Sequence, residues 1–190
     1  MDKTIINYIS QFIKLTEEEE KIISEQNLLK CYKKNDILLE EGENAKVCYF
    51  VVKGCVRAYY VKNGEERNTD FFFENQIIRP LSYQTNEPSQ YFLSCLEDCI
   101  LSIGNESKNQ KLAKQIPKLS SLILQMNESL LVQKTLELDN FKNHSPEERY
   151  LMLLKNNPEH LKRLPLYHLA SYLGITPISL SRIRNRISTK

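Results

Sequence analysis

Residues 164–177 read Leu-Pro-Leu-Tyr-His-Leu-Ala-Ser-Tyr-Leu-Gly-Ile-Thr-Pro, and after two further residues comes Leu180-Ser181-Arg182-Ile183-Arg184. Leu166, Leu169, Ala170 and Leu173 recur at helical spacing, so a short helix has one apolar face. Gly174 then supplies a residue free to take the left-handed conformation that closes a helix and turns the chain. Thr176 is a helix cap, Pro177 suits the first position of a second helix, and Leu180 and Ile183 mark its inner face. This pattern predicts a helix-turn-helix. An ordinary αα-hairpin shares the apolar faces, but it does not call for the small Ala170 at the crossing or for a basic, polar outer face. Here that face carries Ser179, Ser181, Arg182, Asn185 and Arg186, whose side chains can reach phosphates and base edges.

Just upstream, Ser145-Pro146-Glu147-Glu148 is a helix start signal, with Ser145 as cap, proline at the first position and Glu148 three residues on. The charge also changes sign here. Residues 142–190 carry a net +6, whereas residues 1–141 carry −4 within an overall charge of +2. A basic module attached to an acidic body fits an appended nucleic-acid-binding unit, although a solvated basic helix face would look similar.

Further upstream, Leu112, Ile116, Leu119, Ile123, Met126 and Leu130 follow one another at alternating steps of four and three. That seam predicts a long helix over 110–141 that meets a second copy of the chain, with Ile116, Leu119, Ile123, Met126 and Leu130 as the dimer interface. The alternative is a seam packed on the protein's own strands. A second stripe, Leu124, Leu131 and Leu138, offers a face for that packing and leaves the first for the partner.

From about Leu29 to Ile103 the chain changes to short runs rich in Val, Ile, Tyr and Phe: 37–39, 47–52, 55–61, 69–73, 91–96 and 100–103. Turn signals separate them, among them Lys53-Gly54, Asn63-Gly64 and Asn86-Glu87-Pro88. Strands this short and this regularly spaced predict an antiparallel jelly roll. Before them, Thr16 with Glu19 three residues on predicts a capped helix through Ile22 and Ile23. The fold class is therefore α+β: helices and a β-roll over 1–109, a dimerisation helix over 110–141 and a helix-turn-helix domain over 142–190.

Composition narrows the function classes. With 41% hydrophobic and 26% charged residues the chain is an ordinary globular one. The first fifteen residues space Ile5, Ile9, Phe12 and Ile13 helically and lack the apolar run of a secretory signal; no stretch is apolar for long enough to span a membrane. The expected location is the cytoplasm. Five cysteines without a Cys-x-x-Cys pair read as reduced, mostly buried thiols. The three histidines, His144, His160 and His168, lie far from them, so neither a metal nor another cofactor is expected.

The order of parts, with the stretch 164–177 and Leu180 to Arg184, resembles the Crp/Fnr family of bacterial transcription regulators over nearly the whole chain. The resemblance implies a cyclic-nucleotide-binding-like β-roll, a homodimer through the long helix, and double-stranded DNA as partner. RNA polymerase is a candidate further partner. The family reads bases with Glu, two residues, then Ser-Arg or Gly-Arg; here that pattern falls on Ile178 to Arg182, matching at Ser181 and Arg182 and departing at Ile178. The DNA-binding set is Thr176, Pro177, Ile178, Ser179, Ser181, Arg182, Asn185 and Arg186, with Arg184 a further phosphate candidate.

Other family features are missing. Members that bind cyclic AMP hold its phosphate with Gly-Glu and an Arg about ten residues later, where this chain has Arg79-Pro80 and Gln90; proline offers neither a backbone N–H nor a carboxylate. The β-roll is expected to sense a small molecule other than cyclic AMP or to sense nothing; Arg79, Tyr83, Gln90 and Tyr91 are the candidate pocket, and the plainer reading of Arg79 is a surface residue on a loop. The cysteine-rich segment of iron–sulfur members and the β-roll histidine of haem sensors are both absent. Only 156–165 separates the Ser145 helix from the helix-turn-helix, so the wing is short or absent. Two rivals stand beside this reading. A cupin-like enzyme needs clustered strand histidines, and residues 29–103 hold none. A protein–protein adaptor with a degenerate helix-turn-helix is suggested by the apolar Ile178. No catalytic residue is expected.

Overall fold

The structure, a computed structural model, describes residues 3–26 and 28–188. Its contacts group into two units, the first holding Met1–Ala58 and Phe71–Ser129, the second Tyr59–Asp70 and Leu130–Lys190.

Helices α1 (Thr4–Ser10) and α2 (Glu17–Gln26) open the first unit. The expected capping box is present: the Glu19 amide donates to Thr16 Oγ1 at 3.3 Å and the Thr16 amide donates to Glu19 Oε2 at 2.7 Å. Eight strands follow, β1 (Leu28–Tyr32), β2 (Ile37–Leu39), β3 (Cys48–Lys53), β4 (Val56–Lys62), β5 (Glu65–Phe72), β6 (Ile77–Ile78), β7 (Phe92–Cys95) and β8 (Cys99–Gly104), with the short helix α3 (Leu81–Thr85) between β6 and β7. They form two four-stranded sheets in the orders β1-β8-β3-β6 and β2-β7-β4-β5. The registered pairs β1/β8, β2/β7, β3/β6 and β3/β8 are antiparallel, as the jelly-roll reading requires.

Strands β1 and β6 are not legible in the sequence, β1 because Lys30 interrupts a run of five residues and β6 because it is two residues long. Between the sheets, Leu39, Tyr49, Val51, Val56, Ala58, Ile78, Leu93, Cys95, Cys99 and Leu101 form one buried cluster. Each large aliphatic side chain removed from water there contributes about 1.5–3 kcal/mol. All five cysteines are free thiols, Cys31 exposed and the other four buried.

The predicted single helix over 110–141 is corrected: α4 (Glu106–Gln115) and α5 (Lys118–Asn143) are separate. Pro117 lies between them. It has no N–H to continue the helical ladder, and it drives the residue before it out of the helical region, with Ile116 at φ −129° and ψ 80°.

The break changes what the heptad seam does. Ile116 is fully buried and Leu119 is 4% exposed, both packed with Ile6, Ile23 and Leu122, and Met126 leans on the same cluster. Those three residues of the predicted dimer interface belong to the protein's own core, because α1 and α2 cover the start of α5. Ile123 and Leu130 remain exposed, as do Leu124, Leu131, Val132, Leu136 and Leu138.

The second unit combines the tip of the β4–β5 hairpin with the C-terminal part of α5 and four helices: α6 (Pro146–Asn156), α7 (Pro158–Arg163), α8 (Leu166–Tyr172) and α9 (Pro177–Ser188). The hairpin turns at Asn63-Gly64, both with positive φ (55° and 79°), which is the geometry that pair of residues favours. Helix α7 fills the gap where a wing strand was in question, and no strand occurs among the described residues after Gly104. No helix among the described residues is long and apolar enough to cross a membrane.

Candidate nucleic-acid interface

Helix α6 begins as its sequence predicts, with the Glu148 amide donating to Ser145 Oγ at 3.3 Å and the Ser145 amide donating to Glu148 Oε2 at 2.7 Å. The bonds donated to that carboxylate by the Ser145 amide and, at 2.8 Å, by the Ser145 hydroxyl hold the Glu148 pKa below its ordinary value. Downstream, α8 closes in a Schellman motif: Gly174, at φ +71°, donates to the Ser171 carbonyl and Ile175 donates to that of Ala170, each at 3.0 Å. Glycine, with no Cβ, takes that conformation at little cost, which is why the turn falls there.

Thr176 then caps α9, accepting from the Ser179 amide at 3.2 Å, while its carbonyl accepts from Leu180. Leu180 is fully buried and Ile183 is 7% exposed; Tyr150, Leu164, Leu169, Ala170 and Leu173 are the other buried apolar residues of these helices. Burying one stripe of α9 turns the opposite stripe to solvent. Ile178, Ser181, Arg182 and Asn185 are exposed on it, and Thr176 and Pro177 are exposed at its N-terminal end.

Shallow grooves flank α9 on both sides. One, of about 370 Å³, runs beside the start of α6 and is lined by Ser145, Glu147, Ser179, Arg182 and Arg186. The other, of about 450 Å³, involves Tyr150, Leu154, Ser181, Arg184 and Asn185. Arg186 Nη2 lies 3.2 Å from the Glu147 carboxylate, so this cation is already partly neutralised. Ser179 is half-buried and exchanges a hydrogen bond with the Thr176 hydroxyl, which makes it part of the cap as well as of the rim. The predicted DNA-binding set is thus brought together on one helix. Ile178 and Arg182 are exposed, whereas Ser179 and Arg186 are engaged within the protein.

Two features of this unit have no local sequence signature. The Asn68 amide N–H donates to Ser171 Oγ at 3.0 Å, and that hydroxyl donates to the Glu66 carbonyl at 3.0 Å, tying the hairpin tip to α8. Asp70 and Glu137 both pair with Lys134 on α5. Beside them, burial, with Glu137 and Asp70 adding negative charge, pushes the Tyr172 phenol up to about 12. The second feature is Arg149, whose guanidinium bridges two backbone carbonyls.

The β-roll positions read as an effector pocket are less concentrated. Tyr91 accepts a hydrogen bond from the Leu81 amide at 3.1 Å, the first N–H of α3, so that donor is occupied. Pro80 stands just before it, Arg79 and Tyr83 are half-buried, and Gln90 is exposed. Among the described residues no cluster of three or more His, Cys, Asp or Glu has the geometry of a metal site.

Residues 29–115 match the family model of the cyclic nucleotide-binding domain. FixK2 of Bradyrhizobium japonicum superposes with a TM-score of 0.72 at 18% identity, over 86% of this chain and 85% of that one. The fold is that of the Crp/Fnr regulators. The Catabolite Activator Protein of Thermus thermophilus gives a TM-score of 0.56 at 19% identity, covering 94% and 86% of the two chains. CLP of Xanthomonas campestris, a c-di-GMP-responsive global regulator, gives 0.69 at 15% identity over 92% of each chain. No curated protein sequence matches the chain. In Crp/Fnr terms, β1 to β8 are the β-roll, α5 the long helix, and α8 with α9 the helix-turn-helix.

Proposed function

We propose that this chain is a cytoplasmic, dimeric, sequence-specific DNA-binding transcription regulator of Crp/Fnr type. The observation that carries the reading is α9: a capped helix, locked by its apolar stripe, that presents Arg182, Ser181, Asn185 and Ile178 together to solvent. A helix of that kind enters the major groove, where Arg182 makes a bidentate contact to guanine O6 and N7, Ser181 assists, and Ile178 meets a thymine methyl. Arg184 and Arg186 serve phosphates, which position the unit without specifying sequence.

The exposed apolar residues of α5, from Ile123 to Leu138, support self-association, since an apolar strip of this length left in water is unfavourable. Two helix-turn-helix units related by a two-fold axis then read an inverted repeat with half-sites about one helical turn apart. Any effector of the β-roll is a small molecule other than cyclic AMP. Arg79-Pro80 replaces Gly-Glu, the Leu81 amide is occupied by the Tyr91 hydroxyl, and Gln90 has no charge for a phosphate. RNA polymerase is the partner such a regulator addresses on DNA.

Binding to duplex DNA, followed as salt is raised and then by selection from randomised duplexes, tests the reading. A regulator gives a log–log salt slope of about −0.9 for each phosphate contacted and a selected inverted repeat. An adaptor with a degenerate helix-turn-helix binds no duplex, or binds all of them alike.

A further inference from the structure

The end of α5, the start of α6 and the turn between α8 and α9 meet at one side chain. Arg149, in the first turns of α6, donates through Nη1 to the Phe141 carbonyl at 3.0 Å and through Nη2 to the Leu173 carbonyl at 2.7 Å. Phe141 lies in the last turn of α5, and Leu173 is the residue at which α8 ends. Both carbonyls are at the negative end of a helix, where carbonyls lack intrahelical partners, so one cation satisfies two helix termini at once.

The Phe141 ring closes the arrangement. The guanidinium carbon sits 4.1 Å from its centroid, and the ring edge is 3.9 Å from the point where a Cβ on Gly174 would stand. Arg149 Nε is buried without a hydrogen-bond partner, so the two terminal nitrogens carry the polar anchoring. A planar guanidinium fixes its donors in one fork, whereas the ammonium of lysine is a single point on a flexible stem.

We propose that Arg149 is a positioning residue that sets the orientation of α9 against the C-terminal half of α5, and through it the spacing of half-sites that the dimer selects. The role rests on the DNA-binding reading above. Arg149 itself lies off the exposed stripe of α9 and reads no base. Phe141, exposed yet stacked on the guanidinium, is the second member of the joint.

The test compares the full-length parent with Arg149→Met, Arg149→Lys and Phe141→Leu in two measurements. In the first, inverted repeats of varied spacer length are selected alongside single half-sites. The parent is expected to favour one spacer by at least about tenfold, and Arg149→Met and Arg149→Lys to lower that preference to within about threefold while keeping the parent's base preference in a half-site. Phe141→Leu is expected to act in the same direction and guards against an Arg149 variant that fails to fold.

In the second, made without DNA, nitroxides at Gln133 and Asn185 in a Cys31→Ser background report the distance between α5 and α9. The distribution should be narrow in the parent and broaden in all three variants. A folded Arg149→Met protein with the parent's spacer preference or its narrow distance distribution overturns the proposal. So does full rescue by Arg149→Lys, because charge alone would then suffice. A parent that selects no DNA sequence removes the DNA-binding reading instead, and the distance measurement still decides the role of Arg149.

Discussion

The side-chain amide of Asn68 donates to Nδ1 of His168 across 3.2 Å, although one hundred residues separate them in the chain and each is only 4% exposed. An amide nitrogen can only donate, so Nδ1 accepts and the imidazole proton sits on Nε2. Asn68→Ala removes the donor from a buried acceptor and is expected to cost about 1–3 kcal/mol of stability. Nitrogen chemical shifts of His168 check the assignment: the parent should show the Nε2–H tautomer, and the variant a mixture.

Arg182 and Arg186 differ in what already holds them, and their variants should differ too. Arg182→Ala is expected to lose about 1–3 kcal/mol per half-site and to flatten preference at one base pair. Arg186→Ala should weaken binding to all duplexes alike and lower the salt slope. Because Arg186 is paired with Glu147, Glu147→Gln should do the reverse and strengthen binding to every sequence. Titration of selected and unrelated duplexes over a range of salt separates the three outcomes.

Self-association should depend on the exposed part of α5 and not on the start of its heptad seam. Leu131→Glu or Leu138→Glu places a charge on an exposed apolar residue and is expected to give a folded monomer by sedimentation. Leu119→Glu instead buries a carboxylate among Ile6, Ile23 and Ile116, and should unfold the N-terminal part of the protein. A dimer that survives both exposed substitutions would place the interface elsewhere.

Tyr172 links stability to alkaline pH. Its phenol, pushed up to about 12 by burial, stays neutral in the folded protein while an unfolded tyrosine ionises near pH 10. The stability it contributes is present below pH ~10 and is lost as the pH rises from there toward 12. Tyr172→Phe should make the alkaline fall shallower, as measured by denaturant unfolding at a series of pH values. Tyr49, raised further by burial, should continue to withhold one phenolate from the near-ultraviolet titration until unfolding.

Gly54, at φ +104° between β3 and β4, is fixed by space as well as by backbone. A Cβ there would lie 2.6 Å from Cys99 Sγ and 2.9 Å from the Asp98 carbonyl. Gly54→Ala should therefore cost at least about 1–3 kcal/mol, whereas Gly64→Ala, with nothing near its Cβ, should pay only for its positive φ. Paired thermal melts of the two variants measure the difference.

The features legible in the chain are local ones. Thr16 with Glu19 and Ser145 with Glu148 place caps, Gly174 and Thr176 place the turn of the helix-turn-helix, and Asn63-Gly64 places a hairpin, because each depends on a few neighbouring residues and their allowed backbone angles. The solvent-facing stripe of α9 was legible for the same reason: Leu180 and Ile183 declare the buried side, and helical geometry leaves Arg182 opposite. The partners of apolar stripes and polar side chains are set by long-range packing instead. A heptad seam says that residues want covering but not by what, and α1 and α2 cover Ile116 and Leu119 before a second copy could. Asn68 meeting His168, and Arg149 joining the carbonyls of Phe141 and Leu173, are set by closures of many residues that leave no periodic mark in the chain.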